Sequence, residues 1–190
     1  MKFEEYAGKT VIISGAASGI GYAQSTAFLE SGANVFAVDV AAEGLMILKK
    51  KYKASFGYGT VDVRNRNAIE EAVEAAMEAY GQIDILLNTA GVLDGYAKTL
   101  DTDESLWDRV MDINVKGMFH MTNTVLPHML RRKSGIIVNM ASIAGLVAGG
   151  GGAAYTASKH AVIGYTKQLD HDYCREGIRA NVIAPGAIQT

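Results

Sequence analysis

The sequence has 190 residues, 49% of them hydrophobic, enough for one well-filled core and short for two, so residues 1–190 read as a single domain. A formal net charge of −2 argues against the broad basic surface that polyanion binding needs, so no nucleic-acid partner is expected. Cys174 is the only cysteine and leaves no internal disulfide, and the start MKFEEYAGK lacks the apolar stretch of a secretory leader, so a cytoplasmic setting is expected.

Short β-branched runs alternate with longer helical segments along the chain. Thr10–Ser14, Asn34–Asp39, Gly57–Val61, Ile83–Asn88, Gly135–Met140 and Arg179–Ala184 read as strands. Between them Ile20–Ser31, Glu43–Tyr52, Asn65–Tyr80, a long segment Asp103–Arg132, and Ala153–Arg175 have helical spacing or composition. Ile69, Ala72, Val73, Ala76 and Met77, for example, recur at three and four and share a face. The basic runs Lys49–Lys51 and Arg131–Lys133 fall at helix ends, where cations complement the dipole. Ile136–Ala154 is apolar but carries Asn139, Ser142 and several glycines, so it reads as a strand entering a loop rather than a membrane span. Six strands separated by helices predict an α/β fold with a Rossmann-type doubly wound parallel sheet in the order 3-2-1-4-5-6. Ligands of such sheets bind beyond the carboxyl ends of the strands.

Two features at that edge fit a dinucleotide. Ser14–Gly21 joins the first strand to the first helix with few Cβ atoms, so a pyrophosphate can approach backbone N–H groups at the helix start. Gly15, Ser18, Gly19, Ile20 and Gly21 are its candidate cofactor-binding residues, although an ordinary tight turn would use similar glycines. Asp39 closes the second strand, where a carboxylate can accept hydrogen bonds from ribose hydroxyls and repel a 2′-phosphate. With no Arg or Lys in the glycine turn or at Val40 and Ala41, NAD is preferred over NADP. Alternatively, Asp39 caps the helix beginning near Ala41.

Tyr155 and Lys159 stand one helical turn apart, and a neighbouring ammonium favours the phenolate that proton transfer requires. Ser142 follows the fifth strand at the ligand edge, where its hydroxyl could hold a substrate oxygen or serve the turn itself. Asn114 sits inside a helical segment against its propensity, pointing to a local distortion or a buried polar role, unless it is simply solvated. The histidines and the cysteine form no metal-ligand pattern, and Ser18 is not in a GxSxG elbow.

Taken together these residues resemble the classical short-chain dehydrogenase/reductase family over nearly the whole chain. The family's TGxxxGxG is similar to Ser14–Gly21, its NNAG to Asn88-Thr89-Ala90-Gly91, its Asn/Ser/YxxxK set to Asn114, Ser142, Tyr155 and Lys159, and its proline-glycine stretch to Pro185–Thr190. The resemblance implies Tyr155 as acid/base and Lys159 as the residue that binds the nicotinamide ribose and lowers the phenol's pKa. It implies that Ser142 positions the substrate carbonyl and that Asn114 holds a water leading to solvent. Asp62 and Val63 would meet the adenine; Asn88, Ala90 and Gly91 would support the cofactor; Pro185, Gly186, Ile188 and Thr190 would lie near its nicotinamide.

The implied activity is NAD-dependent interconversion of a secondary alcohol, or sugar alcohol, and its ketone. A 3-oxoacyl-[acyl-carrier-protein] reductase shares every motif, and a non-catalytic NAD-binding module is the reading of another class. Family members continue past Thr190 through substrate-covering helices and a seventh strand, which this sequence lacks. Gly149–Gly152 predicts a mobile loop beside the pocket. The resemblance also implies a homodimer or homotetramer through the helices 103–132 and 153–175, with a small-molecule substrate and no membrane partner.

Overall fold

Alternation of inward side chains decides how the sheet is covered. In the computed structural model, which describes residues 3–188, the strand β1 (Thr10–Ser14) turns Val11 and Ile13 to one face and Ile12 to the other, all fully buried. β2 (Asn34–Asp39) and β4 (Ile85–Asn88) do the same with Val35 and Ala37 against Phe36 and Val38, and with Ile85 and Leu87 against Leu86. Strands apolar on both faces demand helices on both. Leu29 of α1 (Gly19–Glu30) and Leu45 and Leu48 of α2 (Ala42–Tyr52) close the first face. The second is closed by Ile69 and Val73 of α3 (Arg66–Tyr80), Val125 and Met129 of α5 (Met118–Arg132) and Leu169 of α6 (Ala153–Tyr173). Each such side chain contributes about 1.5–3 kcal/mol on burial.

With β3 (Phe56–Thr60), β5 (Gly135–Met140) and β6 (Ile178–Ile183), the sheet is six-stranded, parallel throughout, in the expected order β3-β2-β1-β4-β5-β6. The register sets Ser14 opposite both Val38 and Asn88, and Asn88 opposite Asn139, so the strands end together. The order in which strands are added reverses between β1 and β4, which opens the crevice where ligands of such sheets bind.

Three strands shift slightly from their sequence limits. β3 starts at Phe56, fully buried and paired with Val35, and β6 starts at Ile178, paired with Gly135. β4 begins at Ile85, although Ile83 is already buried beneath it. The larger difference is in Asp103–Arg132, which is not one continuous α-helix. α4 (Glu104–Met111), with Asp103 as its side-chain N-cap, is joined to α5 by a π-helical stretch, Asp112–Gly117. The wider turn carries Asn114, as its poor helix propensity foreshadows, and leaves Gly117 where a Cβ would press on Val63 at 2.5 Å.

Candidate active site

The hydroxyl of Ser14, at the carboxyl end of β1, accepts hydrogen bonds from the backbone N–H of Thr89 (3.2 Å) and Ala90 (3.3 Å). It thereby holds the turn after β1 against the loop after β4. Backbone crowding at this seam makes the glycines necessary. Gly15 has φ +70°, and a Cβ there would stand 2.7 Å from the Ala90 backbone; a Cβ on Gly21 would run into the Gly15 carbonyl. Asp39 joins the same seam, one carboxylate oxygen accepting from Ala17 N–H and the other from Ala41 N–H, each at 2.9 Å. Asp39 thus closes a short turn onto the N–H of Ala41, the N-cap of α2, whose own side chain makes no capping bond.

Around the seam lies a cleft of about 530 Å³ that gathers Gly15, Ser18, Gly19, Ile20, Gly21, Asp39, Asp62, Val63, Ala90 and Gly91 from four separate loops. It also brings in Arg64 and Arg109, which lie far from Asp39 in sequence. The Arg64 fork grips Asp62, with 2.6 Å from its terminal nitrogen and 3.0 Å from Nε. That grip holds the Asp62 carboxyl below the usual range.

A second cleft, also about 530 Å³, shares Ile20, Thr89, Gly91 and Val92 with the first. Ser142, Tyr155, Lys159, Pro185, Gly186 and Ile188 line it, with Leu93, Tyr96, Gly149 and Gly150. Ser142, at the start of a short 3-10 turn, is 8% exposed and its Oγ accepts from Ala144 N–H at 3.2 Å. Lys159 is 4% exposed; its Nζ donates to the Met140 carbonyl at 2.8 Å and lies 5.4 Å from the centre of the Tyr155 ring. Burial pushes its ammonium down to about 8. Asn114, 2% exposed, accepts from Val92 N–H at 2.8 Å and donates to the Val92 carbonyl and Ser158 Oγ, each at 3.0 Å. Asn114 thus pins the loop after β4 to α6 from beneath.

The cleft at the glycine turn opens onto a cleft lined by serine, tyrosine and lysine. The family description "short chain dehydrogenase" matches residues 9–190. The chain belongs to the classical short-chain dehydrogenase/reductase family. Among its relatives, 3beta-hydroxysteroid dehydrogenase 2 of Eggerthella lenta is 41% identical over 188 residues, covering 97% of this chain and 72% of that protein. The 3-oxoacyl-[acyl-carrier-protein] reductase FabG of Thermotoga maritima is 39% identical over 186 residues, covering 96% and 75%. The crystal structure of gox2181 superposes with a TM-score of 0.92 at 33% identity, covering 100% of this chain and 77% of that one. Members of this family are oxidoreductases that act on CH–OH groups and normally bind a nicotinamide cofactor.

Two residues of the family motifs lie behind the clefts. Asn88, 5% exposed, donates to Thr122 Oγ1 (3.1 Å) and Asn139 Oδ1 (2.8 Å), and Asn139 passes the chain on to Thr166 of α6 (2.9 Å). These bonds tie β4 and β5 to α5 and α6 beneath the cofactor cleft. Asn114 also works from behind. Thr190 lies outside the described residues. Thr89 replaces the second asparagine of the motif, and its hydroxyl donates to Gln24 Oε1 at 2.7 Å, fastening the loop to α1. Reading the sequence locally missed Arg64 and Arg109, because only the sheet brings them to Asp39. It also missed Asp94 as a buried acid, which only its 4% exposure reveals. Among the described residues no helix is long and apolar enough to cross a membrane.

Proposed function

We propose that the protein is an NAD-dependent oxidoreductase that interconverts a secondary alcohol, including a sugar alcohol, and its ketone, with Tyr155 as the general acid/base. The observation that carries this reading is the convergence of Ser142, Tyr155 and Lys159 on one cleft that shares a wall with the glycine cradle. Gly15 and Gly21, where any Cβ would meet backbone, let the turn after β1 fold closely at the start of α1, which leaves the first N–H groups of that helix at the cleft for a pyrophosphate. Asp39 and Asp62 would hold the adenosine end, Lys159 the nicotinamide ribose, and Pro185, Gly186, Ile188 and Thr190 the nicotinamide end. When bound, the cofactor supplies or accepts the hydride. Ser142 donates a hydrogen bond to the substrate oxygen, and Tyr155 gives that oxygen a proton in reduction and removes one in oxidation. Asn114 would hold a water that links Lys159 to solvent for proton exchange.

The preference for NAD rests on Asp39, whose charge opposes a 2′-phosphate, and on the engagement of Arg64 by Asp62. Arg109 is the cation that could offset it. Lys159 is the one charged side chain among the described residues lining the substrate cleft, so uncharged substrates fit it best. The relation to FabG of Thermotoga maritima favours a second reading, reduction of 3-oxoacyl thioesters. Steady-state assays on a panel of cyclic and acyclic ketones, sugar ketones and 3-oxoacyl thioesters separate them. The expected result is turnover of a simple or sugar ketone, with kcat/KM at least tenfold higher for NADH than for NADPH. Preference for the thioester with NADPH supports the second reading, and NADH binding without turnover of any compound supports a binding-only module.

We also propose a homodimer through α4, α5 and α6. Trp107 of α4 and Phe119 of α5 are 41% and 45% exposed, and Phe119 lines a hollow with Met111, Val115, Met118 and Tyr165, edged by the ion pair Asp112–Lys116. Light scattering behind size exclusion should give twice the chain mass at micromolar concentration; a monomer would sink the proposal.

A further inference from the structure

The first turn of a helix leaves N–H groups without partners, and α6, which carries Tyr155 and Lys159, begins at a residue that cannot cap it. Its N-cap is Gly152, with no side chain. The partners come instead from the loop after β4. Asp94, 4% exposed, accepts from Gly152 N–H at 2.9 Å through Oδ1 and from Tyr155 N–H at 2.9 Å through Oδ2. The Ala97 carbonyl accepts from Ala153 N–H at 3.1 Å. Gly152 makes the approach possible, since a Cβ there would stand 2.5 Å from both Asp94 Oδ2 and the Ala97 carbonyl. The carboxylate lies at the positive end of the helix dipole.

The same Oδ1 accepts a third bond, from Tyr96 N–H at 3.1 Å. Tyr96 has φ +61°, a left-handed conformation that a tyrosine rarely takes unaided. Leu93 and Tyr96 form one wall of the substrate cleft and Tyr155 another, so a single buried carboxylate ties both walls to one point. A helix-capping role alone would need no bond to Tyr96.

We infer that Asp94 is the positioning residue of this site: its carboxylate sets the start of α6, and with it the Tyr155 phenol, at a fixed place relative to the substrate wall at Leu93–Tyr96. The inference rests on the reading of Tyr155 as the acid/base. Asp94 does not line the cofactor cleft, and Lys159, proposed to hold the nicotinamide ribose, is separately anchored on the Met140 carbonyl, so the effect falls on turnover more than on cofactor binding.

Asp94→Ala and the near-isosteric Asp94→Asn are compared with wild type for kcat, KM, NADH affinity by fluorescence and thermal unfolding, on the ketone that the wild type reduces best. Misplacement of a reacting group by about 1 Å lowers turnover by about 100-fold. The expected result is a fall in kcat of at least tenfold in Asp94→Ala, a smaller fall in Asp94→Asn, NADH affinity within twofold of wild type, and partial recovery of Asp94→Ala turnover on adding formate, which can refill the carboxylate site. A kcat within twofold of wild type in Asp94→Ala overturns the inference. So does a loss that tracks a lower melting temperature and weaker NADH binding, without formate recovery, because that is the behaviour of a purely structural cap. Should Asp94→Ala fail to fold, Asp94→Asn decides on the same kcat and NADH criteria. Full turnover in Tyr155→Phe is a separate outcome: it removes the acid/base premise, whatever Asp94 does.

Discussion

Tyr155→Phe should lower kcat for carbonyl reduction by about 10²–10⁴-fold, the usual contribution of a positioned acid/base, while leaving NADH affinity and folding close to wild type. The substitution removes one hydroxyl from a half-buried ring at the substrate cleft and leaves the ring that packs beside Lys159. It disturbs neither of the backbone bonds that set the helix: Tyr155 N–H still reaches Asp94, and Tyr155 carbonyl still accepts from Ser158 Oγ at 2.8 Å. A loss confined to kcat therefore reports the proton and not the scaffold. Single-turnover measurement with prebound NADH separates this from slow product release. If the variant turns over within fivefold of wild type, another group carries the proton and the mechanism proposed here is wrong.

The sheet order and most strand limits are legible in the sequence because apolar alternation and glycine turns are local signals. Thr10–Ser14, Asn34–Asp39 and Gly135–Met140 match their strands residue for residue. Side chains that gain meaning only through packing are not legible in this way. The sequence around Asp39 shows no cation, yet β3 delivers Arg64 into the same cleft. Asn88 reads as a cofactor residue from its motif, but its Nδ2 is spent on Thr122 and Asn139 beneath the cleft, and its buried Oδ1 has no partner among the described residues. Asp94 looks like one acid among twenty Asp and Glu residues until the fold buries it over three N–H groups. Asn114 lies between these cases: its misfit to a helix is visible in sequence, whereas the π-helical turn that accommodates it and the partners it finds are not.

The catalytic cleft also carries an electrostatic burden that stability measurements can read. Lys159 donates one hydrogen bond, to the Met140 carbonyl, and burial pushes its pKa from the ordinary 10.5 to about 8. A lowered native pKa means that between pH 8 and 10.5 the unfolded chain binds more protons than the folded one, so folding becomes more favourable as pH rises through that window. Below pH 8 both states hold the proton and the whole penalty is present, about 3 kcal/mol at 1.36 kcal/mol per pKa unit. Lys159→Met keeps the length of the side chain and removes the charge. Urea unfolding of both proteins at pH 7 and pH 10 should show wild type gaining about 2–3 kcal/mol relative to the variant at the higher pH. Titrations common to both chains cancel in that difference. A gap that stays constant, or moves the other way, would mean that Lys159 keeps its ordinary affinity for protons. The same variant should lose turnover despite its relief at pH 7, because the ammonium that burdens the fold lies 5.4 Å from the centre of the Tyr155 ring. Stability and activity then move in opposite directions at one position, as expected of a buried cation kept for the chemistry it supports.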